Sequence, residues 1–123
     1  MYDKEISFHI LKQVQHSVEI ILSRFQPVKE VADFTDSPSG MEKFDSICML
    51  LITIGENLKN LDKVTHGQLL SGYPEIEWKK VKGLRDIISH QYFDINADAI
   101  FDVCQTKLPE LRLVIDKMLM DLQ

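Results

Sequence analysis

Apolar residues recur every three to four positions from residue 4 to residue 25. Ile6, Ile10, Val14, Val18, Ile21, Leu22 and Phe25 fall on one helical face, and Leu11 widens the stripe. The spacing predicts a first helix over 4–25, ended by Pro27. The segment DFTDSPSG, 33–40, is dense in turn formers and reads as a loop. Ser39 and Glu42 then fit a capping box, and Phe44, Ile47, Cys48, Leu51, Ile54, Leu58 and Leu61 mark a second amphipathic helix. Residues 62–74 are less regular, with Thr65 and Gln68 placed to cap a short turn around HGQLL before SGYP breaks it. Pro74 suits the first position of a third helix, where its missing amide would be unpaired anyway. That helix carries Ile76, Val81, Leu84 and Ile88 and is expected to run to about residue 90. Asn96 can cap a fourth, apolar at Ile100, Val103, Cys104, Leu108, Leu111, Ile115, Met118 and Leu122, with Pro109 inside it predicting a kink. No stretch alternates with period two. The expected fold is all-α: an up-and-down bundle of four main helices with a kinked C-terminal helix.

Length and composition narrow this. The 123 residues suit one domain, 1–123, and 45% hydrophobic with 27% charged residues is ordinary for a soluble globular chain. No window approaches the roughly 18–20 apolar residues of a membrane span. Lys4 and Glu5 lead into an amphipathic run instead of a signal-peptide core. Cys48 and Cys104 lie within apolar helical patterns, which suits packed, reduced thiols in a cytoplasmic protein. A net charge of −5 argues against nucleic-acid binding over the whole surface. Charge is uneven, however: residues 79–92 gather Lys79, Lys80, Lys82 and Arg85 against Asp86 alone. Such a segment is compatible with a local phosphate contact, but by charge alone a solvated helix face is the favoured reading.

The stretch RDIISHQY, 85–92, concentrates polar chemistry on a helix that otherwise reads as buried. At ~100° per residue, Arg85, Ser89 and Tyr92 fall near one line, with Lys82 on the same side a turn earlier. Asp86 precedes His90 by four residues and can hydrogen-bond its imidazole, orienting the ring. Arg85 and His90 are about 140° apart on an ideal helix, so they converge only at a helix end or across two chains. These residue types suit phosphodiester chemistry. Histidine can act as general acid or base, arginine can grip a phosphate and stabilise developing charge, and hydroxyls can donate to phosphate oxygens. RNA supplies its own nucleophile in the 2′-hydroxyl. A surface Asp86–His90 pair with Arg85 in a salt bridge is the structural alternative.

Arg85-x4-His90-x-Tyr92 resembles the R-x4-H-x-Y motif of HepT-like proteins, a prokaryotic branch of the HEPN domains. The flanks agree: IEWKKVKGLRD with Trp78 and Gly83 before the arginine, and Tyr92-Phe93-Asp94-Ile95 after the histidine. Downstream lies Lys107-Leu108-Pro109-Glu110-Leu111, and upstream Ile54-Gly55-Glu56 looks like the Gly-Glu turn of that family's second helix. The resemblance spans essentially the whole chain and is strongest over 74–111. It implies a metal-independent endoribonuclease that needs no cofactor, working as a homodimer and as the toxin of a type II/VII-like toxin–antitoxin pair. Arg85, His90 and Asp86 would form the catalytic set, and Tyr92, Ser89, Lys82 and Lys79 would bind substrate. The implied partners are RNA and a minimal nucleotidyltransferase antitoxin, which in some pairs adenylylates the motif tyrosine, here Tyr92. Some HEPN domains bind a nucleotide or a nucleotidyltransferase without cleavage, which is the competing reading.

Acid–base cleavage of RNA uses one group to remove a proton and another to deliver one. Each chain offers one histidine in this segment, and two-fold pairing would bring two Arg85/His90 sets and two basic segments into one cleft. Elsewhere, His9 and His16 share a face of the first helix and His16-x-x-Glu19 has metal-like spacing, but the second Glu-x-x-His helix of a di-iron bundle is missing. The GENLKN segment, 55–60, reads as a helix-end polar face with a close-packing Gly55, and Glu56 near the cleft. Met118 and Met120 read as core or interface filler.

Overall fold

A computed structural model describes residues 2–90 and 96–123, apart from the side chains of Ile87, Ser89 and His90. Every regular element among the described residues is helical: α1 (Lys4–Phe25), α2 (Ala32–Thr35), α3 (Pro38–Val64), α4 (Gln68–Ser71), α5 (Trp78–Lys82), α6 (Leu84–His90), α7 (Ala97–Asp102) and α8 (Leu108–Leu122). A five-residue π turn, Val103–Lys107, joins α7 to α8. No helix among the described residues is long and apolar enough to cross a membrane.

The long helix α3 is the centre of the fold, packed by α1 on one side and by α5 and α6 on another. Ion pairs and hydrogen bonds give the directions. Gln15 donates to Asp116 at 2.8 Å and Glu19 meets Arg112 at 2.8 Å, so α1 and α8 run antiparallel. Glu56 meets Arg85 and Asp62 meets Lys82, so α5–α6 runs against α3. The bundle is therefore up-and-down, as the periodicity predicts. Its core draws Leu11, Val14, Ile21, Ile47, Leu51, Ile54, Leu58, Leu61, Ile88, Ile115 and Met118 inward, each at most 1% exposed.

Helix α1 has the predicted bounds, and its Asp3 cap accepts from the amides of Glu5 and Ile6. Ile6, expected on the buried stripe, is 48% exposed, because the stripe enters the core only from Ile10 onward. The segment 33–40 is not wholly loop. It contains α2, whose Phe34 is fully buried and meets the rings of Phe25, Phe44 and Phe101. Helix α3 is capped by Ser37 and not by Ser39 with Glu42: the Ser37 hydroxyl accepts from the Gly40 amide at 3.0 Å. Pro38 explains the shift, since a proline without an amide fits the first helical position and puts the cap just before it. Gly40 lies so close to the carbonyls of Asp33 and Phe34 that a β-carbon there would collide with α2.

Past α3 the chain reverses through two left-handed residues, His66 (φ 54°) and Gly67 (φ 74°). Thr65 does not cap the next turn; its buried hydroxyl donates back to the Leu61 carbonyl at 2.9 Å and closes α3 instead. Pro74 likewise does not open a helix. The Tyr73 hydroxyl is anchored to Asp121 at 2.6 Å, and the Trp78 indole donates to the Tyr73 carbonyl at 2.8 Å. These two bonds hold 73–77 as a turn, and the helix starts only at Trp78. The predicted third helix is then broken at Gly83 into α5 and α6, where glycine is the weakest ordinary helix former.

Asn96 caps α7 as expected, accepting from the amides of Asp98 and Ala99. The interruption expected near Pro109 takes the form of the π turn, in which the Leu108 amide reaches the Val103 carbonyl. A proline ring presses on the carbonyl four residues back, and widening the preceding turn relieves that contact. Met118 is core, whereas Met120 is 73% exposed. Both cysteines are buried free thiols; burial first, and then Asp45 for Cys48 and Cys48 for Cys104, pushes each up to about 12, so neither is a nucleophile near neutral pH.

Candidate functional site

The segment that carries the motif is placed by α3. Helix α3 presents Glu56, Lys59, Asp62 and Lys63 at helical spacing on the side facing α5 and α6. Charges of opposite sign meet them across the seam. The Arg85 Nε lies 3.2 Å from Glu56 Oε1, the Lys59 Nζ 3.8 Å from Asp86 Oδ2, and the Lys82 Nζ 2.6 Å from Asp62 Oδ2. Arg85 also lies 4.0 Å from Asp86. The two more exposed pairs, Arg85–Glu56 and Lys59–Asp86, contribute about 0–1 kcal/mol each, so their role is to select the register of α6 on α3 more than to stabilise it, while Lys82–Asp62 is partly buried. Stability at this seam comes from apolar burial, with Ile88 of α6 1% exposed in the common core.

Gly55 permits the close approach. A β-carbon at this position would meet the Val81 carbonyl at 3.2 Å, the Lys82 carbonyl at 3.5 Å and the Arg85 amide at 3.6 Å. The glycine is thus a packing surface for the junction between α5 and α6, and through it for the guanidinium of Arg85. Ile54-Gly55-Glu56 sits inside α3, which continues to Val64, so the segment is neither a turn nor a helix end. Its value to the site lies in the pairing of a side-chain-free position with the adjacent Glu56.

Several predicted site residues meet here. Arg85 and Asp86 are half exposed on the first turn of α6, and Lys82 is drawn in by Asp62. Lys79 lies one turn before Lys82 and shares with it a surface depression whose other side is Lys59, Asp62 and Lys63 of α3, with Gly83 at the junction. The backbone of Ser89 and His90 continues α6, while their side chains lie outside the described residues. So does the whole of Tyr92, and with it the predicted Asp86–His90 hydrogen bond and the modification site.

Sequence reading placed Glu56 near the site but missed Lys59, Asp62 and Lys63. The available signal was a charge stripe on α3 whose signs alternate against those of Lys82, Arg85 and Asp86. On the opposite flank of α3, His9, Lys12, Gln13 and His16 of α1 line a second depression with Thr53 and Asn57. Glu19, the carboxylate considered with His16, is instead committed to Arg112.

A family model described as "Ribonuclease HepT-like" matches residues 7–118, which includes α3, the seam and the complete motif. A "Putative RNase" of Methanocaldococcus jannaschii is 29% identical over 102 residues, covering 78% of this chain and 81% of that protein. A second, from Caldanaerobacter subterraneus subsp. tengcongensis, is 27% identical over 109 residues, covering 89% and 90%. No solved structure matches the chain. With the match running through nearly all of the bundle and across Arg85-x4-His90-x-Tyr92, the chain belongs to the ribonuclease HepT-like family.

Proposed function

We propose that this chain, acting as one unit over 1–123, is a metal-independent endoribonuclease and the toxin of a toxin–antitoxin pair. The observation that carries the reading is the intact Arg85-x4-His90-x-Tyr92 motif inside a family match to HepT-like ribonucleases. Its arginine stands exposed on the first turn of a helix seated against α3.

In this mechanism His90 of one protomer takes the proton of a ribose 2′-hydroxyl. The freed oxygen attacks the adjacent phosphorus, the bond from phosphorus to the 5′-oxygen breaks, and His90 of the partner subunit protonates that leaving oxygen. The products are a 2′,3′-cyclic phosphate and a 5′-hydroxyl, and no water is consumed. Arg85 donates its fork of N–H groups to the non-bridging phosphate oxygens as charge builds on them. Asp86 positions His90. Ser89, Tyr92, Lys82 and Lys79 hold the substrate. The cognate partner is a small nucleotidyltransferase in the same cytoplasm, and Tyr92, as a substrate-binding hydroxyl, is the natural place for it to silence the site by adenylylation.

One observation favours a second reading, a non-catalytic module that docks a nucleotidyltransferase or a nucleotide. Arg85 lies within 4.0 Å of two carboxylates, Glu56 and Asp86, as a purely structural arginine would. A digest separates the two. Purified protein incubated with total RNA in EDTA is expected to cut it, and the His90→Ala protein is not. RNA left whole by the wild-type chain, in EDTA and in magnesium alike, would leave only the docking module.

A further inference from the structure

We propose that the depression between α3 and α5 is the seat of the phosphates that flank the scissile one, so that the substrate is an extended RNA strand and not a short oligonucleotide. The inference rests on the ribonuclease reading and deepens it. Four lysines converge there from two elements, Lys59 and Lys63 of α3 and Lys79 and Lys82 of α5. Two of them have local counterions: Asp62 holds Lys82 at 2.6 Å, and Asp86 lies 3.8 Å from Lys59. Lys63 and Lys79 are exposed and form no ion pair among the described residues.

The one carboxylate among the lining residues, Asp62, is engaged by Lys82, so the ammonium groups of Lys63 and Lys79 face the same concavity and repel each other. With four lysines against the single carboxylate of Asp62, the concavity is predominantly positive, and such a surface concentrates field and attracts a polyanion. The place is also right. Lys79 and Arg85 stand on successive helices, α5 and α6, six residues apart in the chain, so a strand gripped at Arg85 can continue toward Lys79. Gly83, between them, puts no side chain in the way of a backbone running from Arg85 into the depression. Lys63 stands across it on α3, so the strand would be held from both sides.

The test uses the full chain with His90→Ala, which binds RNA without cutting it, and a fluorescein-labelled single-stranded RNA over a series of salt concentrations. Adding Lys63→Gln and Lys79→Gln is expected to weaken binding roughly tenfold or more near 0.1 M salt. The slope of log affinity against log salt should fall by about 1.4, at ~0.7 for each lost phosphate contact. Lys80→Gln, a neighbouring exposed lysine that pairs with Glu77 outside the depression, should leave both unchanged. The proposal is overturned if the double variant binds like its parent, or if Lys80→Gln weakens binding as much, since diffuse charge would then suffice. It is also overturned if the parent prefers an acidic peptide to RNA. RNA held through these lysines but never cut by the wild-type chain would instead sink the ribonuclease reading and leave the seat standing.

Discussion

His90→Ala is expected to lower RNA cleavage by about 10²–10⁴-fold, the usual worth of a positioned acid–base group. Arg85→Ala should cost about 10²–10³-fold, as removal of a single donor to developing charge does. The arginine carries the more informative control. Arg85→Lys keeps a cation between Glu56 and Asp86 but loses the planar fork. If Arg85 only fixes the seam, the lysine variant should work as well as the wild type. If the fork holds phosphate, it should stay impaired. Both alanine variants should keep the helical circular dichroism and the sedimentation of the wild type; for Arg85 the reason is that its half-exposed ion pairs contribute little to stability beside the burial of Ile88. Cleavage undiminished in either alanine variant would remove that residue from the chemistry.

Phe34→Ala should destabilise the fold by about 3–5 kcal/mol, the range for deleting a buried aromatic ring. Phe34 is fully buried, with ring centroids 5.2 Å from Phe44, 6.1 Å from Phe25 and 6.5 Å from Phe101. It is the point where α1, α2, α3 and α7 meet, so a cavity there loosens four elements at once. The loss would be read as a lowered midpoint in urea with an unchanged slope. A change under about 1 kcal/mol would mean that the aromatic cluster is not the clamp its geometry indicates.

Phe34 also marks the limit of what periodicity can read. Surrounded by Asp33, Thr35, Asp36 and Ser37, with Val31 alone at helical spacing before it, it belongs to no repeating apolar stripe, so its burial is visible only once Phe25, Phe44 and Phe101 are brought around it. The long elements were legible for the opposite reason. Helix α1 repeats its apolar face over 22 residues and has a local cap in Asp3, so nothing distant is needed to place it. The third helix failed because Tyr73 is held by Asp121, 48 residues away, and that anchor overrides the preference of Pro74 for a helix start. At the site, the motif named Arg85 and Asp86 directly. Lys59, Asp62 and Lys63 acquire a role only through the antiparallel packing of α3 on α5–α6, which no local pattern encodes.

The most direct measurement is the chemistry of the cut ends produced by the wild-type chain in EDTA. Attack by the 2′-hydroxyl under His90 and Arg85 predicts a 2′,3′-cyclic phosphate on one fragment and a free 5′-hydroxyl on the other, detectable by end-specific enzymatic labelling. Fragments that instead carry a 3′-hydroxyl and a 5′-phosphate, or cutting that appears only when a divalent cation is added, would contradict it.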